Sequence, residues 1–102
     1  MNPTADLHVS PAQLADFAGR WHVRELAMFG SMARGDARPG SDVDLMIEFL
    51  PNDQWDLLDL VDMQADLETL FGRPVDLVEK MAVKNPYRRA SIDRDLTILY
   101  AA

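Results

Sequence analysis

The sequence predicts a small two-layer α/β (α+β) domain. Apolar residues change along the chain from helical spacing to strand alternation and back. Glycine and proline turn signals fall at the changes. The order that results is α-β-(short α)-β-α-β-α-(β), which suits a sheet covered by helices.

Ser10-Pro11-Ala12-Gln13 reads as a helix start: serine caps, proline takes the first helical position, and glutamine follows three residues after the cap. Leu14, Phe17, Ala18 and Trp21 then recur at helical spacing, so the first helix is expected over about 11–21. Glu25-Leu26-Ala27-Met28-Phe29 is a short apolar run ending at Gly30, a buried strand. Residues 31–35 suit one helical turn, and Ala37-Arg38-Pro39-Gly40 has loop chemistry.

Residues 42–50 alternate. Val43, Leu45, Ile47 and Phe49 point to one face; Asp42, Asp44, Met46 and Glu48 point to the other. Pro51-Asn52-Asp53 is expected to break this strand and cap the next helix. From Trp55 to Phe71 the chain is amphipathic, with Leu57, Leu60, Val61, Leu67 and Phe71 as its apolar face. Asp56, Asp59, Asp62 and Asp66 form an acidic stripe, expected to be a solvated face. Gly72 and Pro74 stop the helix. Pro74–Glu79 reads as a third strand with Asp76 among apolar neighbours. Asn85-Pro86 opens a short helix to about Asp93, carrying Arg88 and Arg89. Leu96–Tyr100 suits either the end of that helix or a last strand, and a strand is the expectation.

Composition narrows the function. A length of 102 residues suits a single domain spanning the chain. No cysteine is present, which removes disulfides and thiolate metal sites. His8 and His22 are not at ligand spacing. No apolar run is long enough to span a membrane. The N-terminus carries Asp6 and no basic stretch, unlike a secretion signal, so a cytoplasmic protein is expected. The net charge of −7 opposes direct binding of nucleic acid and is compatible with a basic protein partner.

The residues with chemical potential cluster in 30–45. Gly30 lets a phosphate approach the backbone, and Ser31 adds a hydroxyl at the start of a short helix. Asp42 and Asp44 share a strand face at ~7 Å. If the third strand pairs beside the second, Asp76 joins them. Three carboxylates crowded together call for a cation, since two at about 4 Å repel by roughly 4 kcal/mol at an effective dielectric near 20. Oxygen donors alone favour Mg²⁺ or Mn²⁺ over zinc. The competing reading pairs these acids with Arg34, Arg38 or Arg73. Gly30 and Gly35 are spaced as in a Walker A loop, but Asp36 stands where that loop needs lysine, so this reading fails.

Gly30-Ser31, ten residues, then Asp42-x-Asp44 resembles the signature of the polymerase-β-like nucleotidyltransferase superfamily. The longer pattern, Gly-Ser-x-x-Arg-Gly followed by Ser-Asp-x-Asp-Leu, resembles its smallest members, the MNT-type minimal nucleotidyltransferases. The resemblance implies a small mixed sheet with helices packed on one side. It implies that Gly30, Ser31 and Arg34 bind the nucleotide and that Asp42, Asp44 and Asp76 are catalytic and hold two Mg²⁺ ions, or Mn²⁺. ATP would be the co-substrate. It further implies an antitoxin that transfers AMP to a tyrosine of a helical HEPN ribonuclease toxin. Two other readings remain: an antitoxin acting by contact alone, and a nucleotidyltransferase for a small hydroxylated molecule such as an aminoglycoside.

Overall fold

The computed structural model describes residues 9–36, 38, 40–51 and 55–102. Expectations placed on Asp6, His8, Ala37, Pro39, Asn52 and Asp53 lie outside the described residues. Four strands form one sheet in the order β3-β2-β1-β4.

Helix α1, Pro11–Trp21, has the expected bounds. The Gln13 amide donates to Ser10 Oγ at 3.1 Å and the Ser10 amide donates to Gln13 Oε1 at 2.8 Å, a reciprocal cap. Leu14, Phe17 and Ala18 are buried. Strand β1, Val23–Phe29, begins two residues before the expected run. The cause is a bulge: Val23 pairs with Phe49 and Glu25 with Glu48, so β1 carries one extra residue. The extra residue breaks the alternation that would have revealed the start, and it lets Val23 and Leu26 join the same core although three apart.

Helix α2 is the short Gly30–Arg34 segment. Strand β2, Val43–Phe49, runs antiparallel to β1, and Val43, Leu45, Ile47 and Phe49 pack into the main core as expected. Met46, on the opposite face, is also buried.

Helix α3, Leu57–Phe71, starts later than expected. Its cap is Asp56 rather than anything in 51–53. Asp56 Oδ1 accepts from the Asp59 amide at 2.8 Å, and Asp59 Oδ2 accepts from the Asp56 amide at 3.0 Å. Asp56→Ala should remove this cap at a cost of about 1 kcal/mol. A loss of ~1 kcal/mol lowers the melting temperature of a domain of this size by roughly 4–8 °C, which a thermal melt by circular dichroism will read.

The buried face of α3 also differs from the expected one. Met63, Leu67 and Phe71 are buried with Leu60 and Leu70 packed beside them, whereas Leu57 and Val61 are exposed. The helix has apolar residues on two stripes, and periodicity alone does not say which one meets the sheet. The acidic stripe divides by role: Asp56 and Asp59 cap, and Asp66 accepts from Trp21 Nε1 at 3.1 Å and pairs with Arg20 at 3.4 Å. Asp62 is exposed.

Gly72 ends α3 at φ 66°. Strand β3, Val75–Glu79, lies parallel to β2. A single 3-10 turn, Lys80–Ala82, follows; the sequence reading did not include it. Helix α4, Pro86–Arg94, is capped by the Asn85 side chain. Strand β4, Thr97–Ala101, settles the open choice at the end of the chain in favour of a strand. The core lies between the sheet and the layer formed by α1 and α3. Among the described residues, no helix is long and apolar enough to cross a membrane.

Candidate active site

The strand register builds the site. Strand β1 ends at Phe29, which pairs with Asp44 on β2, and Asp44 pairs in turn with Asp76 on β3. Neighbouring strands lie about 4.8 Å apart, so the end of β1 and the two carboxylate positions form a row across the sheet. Gly30 continues that row at φ 72°, the left-handed region that favours glycine. An added Cβ at Gly30 would collide with the Asp44 carboxylate. The absence of a side chain there gives Asp44 its place.

The condition placed on Asp76 is fulfilled: β3 pairs beside β2, with Asp76 opposite Asp44. Asp44 is half-buried; Asp42, just ahead of β2, and Asp76 are exposed. Burial raises the Asp44 pKa first, and the negative charges of Asp76 and Asp42 raise it further, with Arg34 opposing. Among the described residues none of the three acids forms an ion pair; Arg34 and Lys80 are committed to other acids. Arg73, another partner considered from sequence, makes its contacts elsewhere.

The donor set therefore fits a hard divalent cation: oxygen atoms only, negative, and without an arginine or lysine ion pair among the described residues. Among the described residues, no three acidic, histidine or cysteine side chains are already gathered in a metal-holding arrangement. The register sets Asp44 opposite Asp76, and Asp42 lies just ahead of β2.

The burial of Asp44, reinforced by its acidic neighbours, has a pH signature. An Asp44 pKa above its unfolded value means that the folded state holds more protons as that carboxylate titrates, so stability falls as pH rises through the raised pKa. In metal-free buffer the melting temperature of Asp44→Asn relative to wild type should therefore be least favourable below about pH 4 and should improve towards pH 7. Melts across that range will check the sign.

Ser31 lies half-buried on α2, and its carbonyl accepts from the Gly35 and Asp36 amides at 3.0 and 3.1 Å, closing the short helix. Arg34 is exposed and bridges Asp36 at 3.2 Å and Asp95 at 3.1 Å, tying α2 to the end of α4. Arg88 is exposed, and Arg89 pairs with Asp93 at 3.2 Å one turn along α4.

Arg73 was not chosen from the sequence as a site residue. Its Nη1 lies 3.4 Å from the Ser41 carbonyl oxygen and 3.6 Å from Met32 Sδ. One guanidinium on the approach to β3 thus touches α2 and the residue before Asp42. The available signal was its position, three residues before Asp76.

The model of a nucleotidyltransferase domain matches residues 12–99 of this chain. A Methanocaldococcus jannaschii protein with the provisional name protein adenylyltransferase is 38% identical over 77 residues, 76% of this chain and 77% of its own length. Protein adenylyltransferase MntA of Thermococcus cleftensis is 41% identical over 68 residues, 65% of each chain. A solved structure of tri-AMPylated Shewanella oneidensis HEPN toxin in complex with MNT antitoxin matches with a TM-score of 0.65 and 14% identity, over 90% of this chain and 70% of that one. At that identity the likeness concerns the fold.

Proposed function

The chain belongs to the nucleotidyltransferase domain family, and on that premise we propose that it moves AMP from ATP to a tyrosine hydroxyl of a HEPN-type toxin in the cytoplasm, acting as its antitoxin. The observation that carries the reading is the placement of Asp44, opposite Asp76 on β3 and against Gly30 at the end of β1. The names of the relatives, which include a protein adenylyltransferase, support protein as the acceptor class.

Each residue has a task in this proposal. The Gly30 backbone and the Ser31 hydroxyl receive the triphosphate of ATP. Arg34, held at the rim by Asp36 and Asp95, offers a guanidinium to the phosphates. Asp42, Asp44 and Asp76 hold Mg²⁺, or Mn²⁺. Divalent ions bound there would activate the attacking hydroxyl and neutralise the leaving group. The tyrosine oxygen bonds to the α-phosphorus, the bond from that phosphorus to the bridging oxygen breaks, and pyrophosphate departs. Asp76, exposed on the edge strand, takes the hydroxyl proton in this proposal. Catalysis is mainly positioning and electrostatics.

The test is incubation of the chain with a HEPN-type partner, Mg²⁺ and α-labelled ATP. Label on a partner tyrosine, lost when Mg²⁺ is chelated, is the expected result. An unlabelled toxin that is nevertheless neutralised would replace this reading with neutralisation by contact.

A further inference from the structure

The first half of α3 exposes an apolar stripe that the catalytic reading does not use. Leu57 is 75% exposed, Leu58 74% and Val61 57%. Leu57, Val61 and Ala65 follow one another at i, i+4 and i+8, which places them along one line of the helix; Leu58 lies beside that line. Ala65 is exposed as well. The core-facing residues Leu60, Met63, Leu67 and Phe71 lie on a different side, so the stripe is not a misplaced part of the core. Three large aliphatic side chains grouped on one exposed helix face mark an interaction surface more readily than scattered ones do.

Charge identifies the kind of partner. Between Leu57 and Phe71 the charged residues are Asp59, Asp62, Asp66 and Glu68, with no lysine or arginine. Asp62 is exposed and follows Leu58 at i+4, on the border of the stripe. A second copy of the chain would bring one acidic helix against another. A complementary surface is apolar at its centre with lysine or arginine at its rim.

Position adds a third argument. The C-terminal end of α3 leads through Gly72 to Pro74, whose carbonyl accepts from the Val43 amide beside Asp42. The stripe is at the other end of α3, ~20 Å away at 1.5 Å per residue. A protein seated there would leave the carboxylate row open to nucleotide. Between the two ends it would need to span only the length of a small helical domain. Trp55, two residues before Leu57, also carries a buried indole N–H with no acceptor among the described residues. Such an orphan donor is a feature that a docked partner could satisfy after a small local shift.

We propose that the Leu57–Leu58–Val61 face of α3 is the docking surface for the protein acceptor, and that it receives an apolar patch rimmed with basic side chains. This rests on the reading of the chain as a protein nucleotidyltransferase. Docking at a distance from the carboxylates assigns this face to acceptor affinity and leaves the chemical step to the other end of the molecule.

The experiment uses Leu58→Ser/Val61→Ser in the full chain with the HEPN-type partner. The expected result is a rise of tenfold or more in both the partner Kd by calorimetry and the KM for the partner. The kcat at saturating partner, the KM for ATP and the melting temperature should stay within twofold or a few degrees of wild type. Asp62→Asn should weaken binding at low salt and converge on wild type at high salt. An unchanged Kd in the double variant overturns the proposal. So does sedimentation showing a wild-type dimer that the double variant dissolves, which would assign the face to a second copy. If wild type binds the partner but transfers no label, the proposed chemistry fails while the Kd comparison still decides the docking surface.

Discussion

Asp44→Asn is expected to lower AMP transfer by about a thousandfold or more, equivalent to ~4 kcal/mol of barrier. The substitution keeps the shape of the side chain and removes one negative charge. Asp44 is the position at which the features of the site meet: it opposes the end of β1, pairs with Asp76 and fills the space that Gly30 leaves open. Burial raises its pKa, and the neighbouring charges of Asp76 and Asp42 raise it further. Loss of activity should come without loss of structure. Removing a repelled carboxylate should leave the metal-free melting temperature equal to wild type or a few degrees higher, since partly exposed charge pairs are worth about 0–1 kcal/mol. Mg²⁺ should raise the melting temperature of wild type more than that of the variant, because an ion that binds the folded state stabilises it. Asp16→Asn, an exposed acid on α1, is the control and should keep full activity. An Asp44→Asn protein with activity within tenfold of wild type would remove Asp44 from the catalytic set.

Gly30→Ala is expected to cost stability and activity together. A left-handed φ costs an alanine ~1–2 kcal/mol, and the new methyl meets the Asp44 carboxylate. A total of about 2–3 kcal/mol corresponds to a fall in melting temperature of roughly 10–20 °C. Gly35→Ala separates the two contributions. Gly35 has φ 81° but open space around its absent Cβ, so it carries the conformational cost alone. Asp44→Ala in the Gly30→Ala background should recover the collision cost, because Asp44 Cβ would sit 3.4 Å from the new methyl, an ordinary contact. A double-mutant cycle reads that coupling directly. Equal costs for Gly30→Ala and Gly35→Ala would show that the collision contributes nothing.

Much of this was legible in the sequence, for physical reasons that differ by residue. The bounds of α1 were readable because Ser10, Pro11 and Gln13 are local signals and their hydrogen bonds are local too. The core face of β2 was readable because a strand alternates with a period of two. The adjacency of Asp44 and Asp76 could be stated only conditionally, since the pairing of β2 with β3 depends on α3 and its turns rather than on neighbouring residues. The start of β1 was hidden by its bulge. The buried side of α3 was misassigned at Leu57 and Val61 because two apolar stripes compete on one helix. Arg73 and Asp95 were missed because their contacts join segments far apart in the chain: Met32 and Ser41 for Arg73, Arg34 for Asp95.

Strand β2 has a neighbour on each side, whereas β3 lies at the edge of the sheet. Asp44 is inside the ladder of β2, and Asp42 comes just before it. Amide hydrogens in a central strand exchange with solvent only through large-scale opening, while those at strand ends exchange through local fraying. The three acids therefore differ in their freedom. By that rule the Asp44 amide should exchange more slowly than those of Asp42 and Asp76. In the proposed reaction, one fixed carboxylate with two more compliant ones beside it would adjust to the changing charge of the substrate as it becomes product, without the sheet itself having to move.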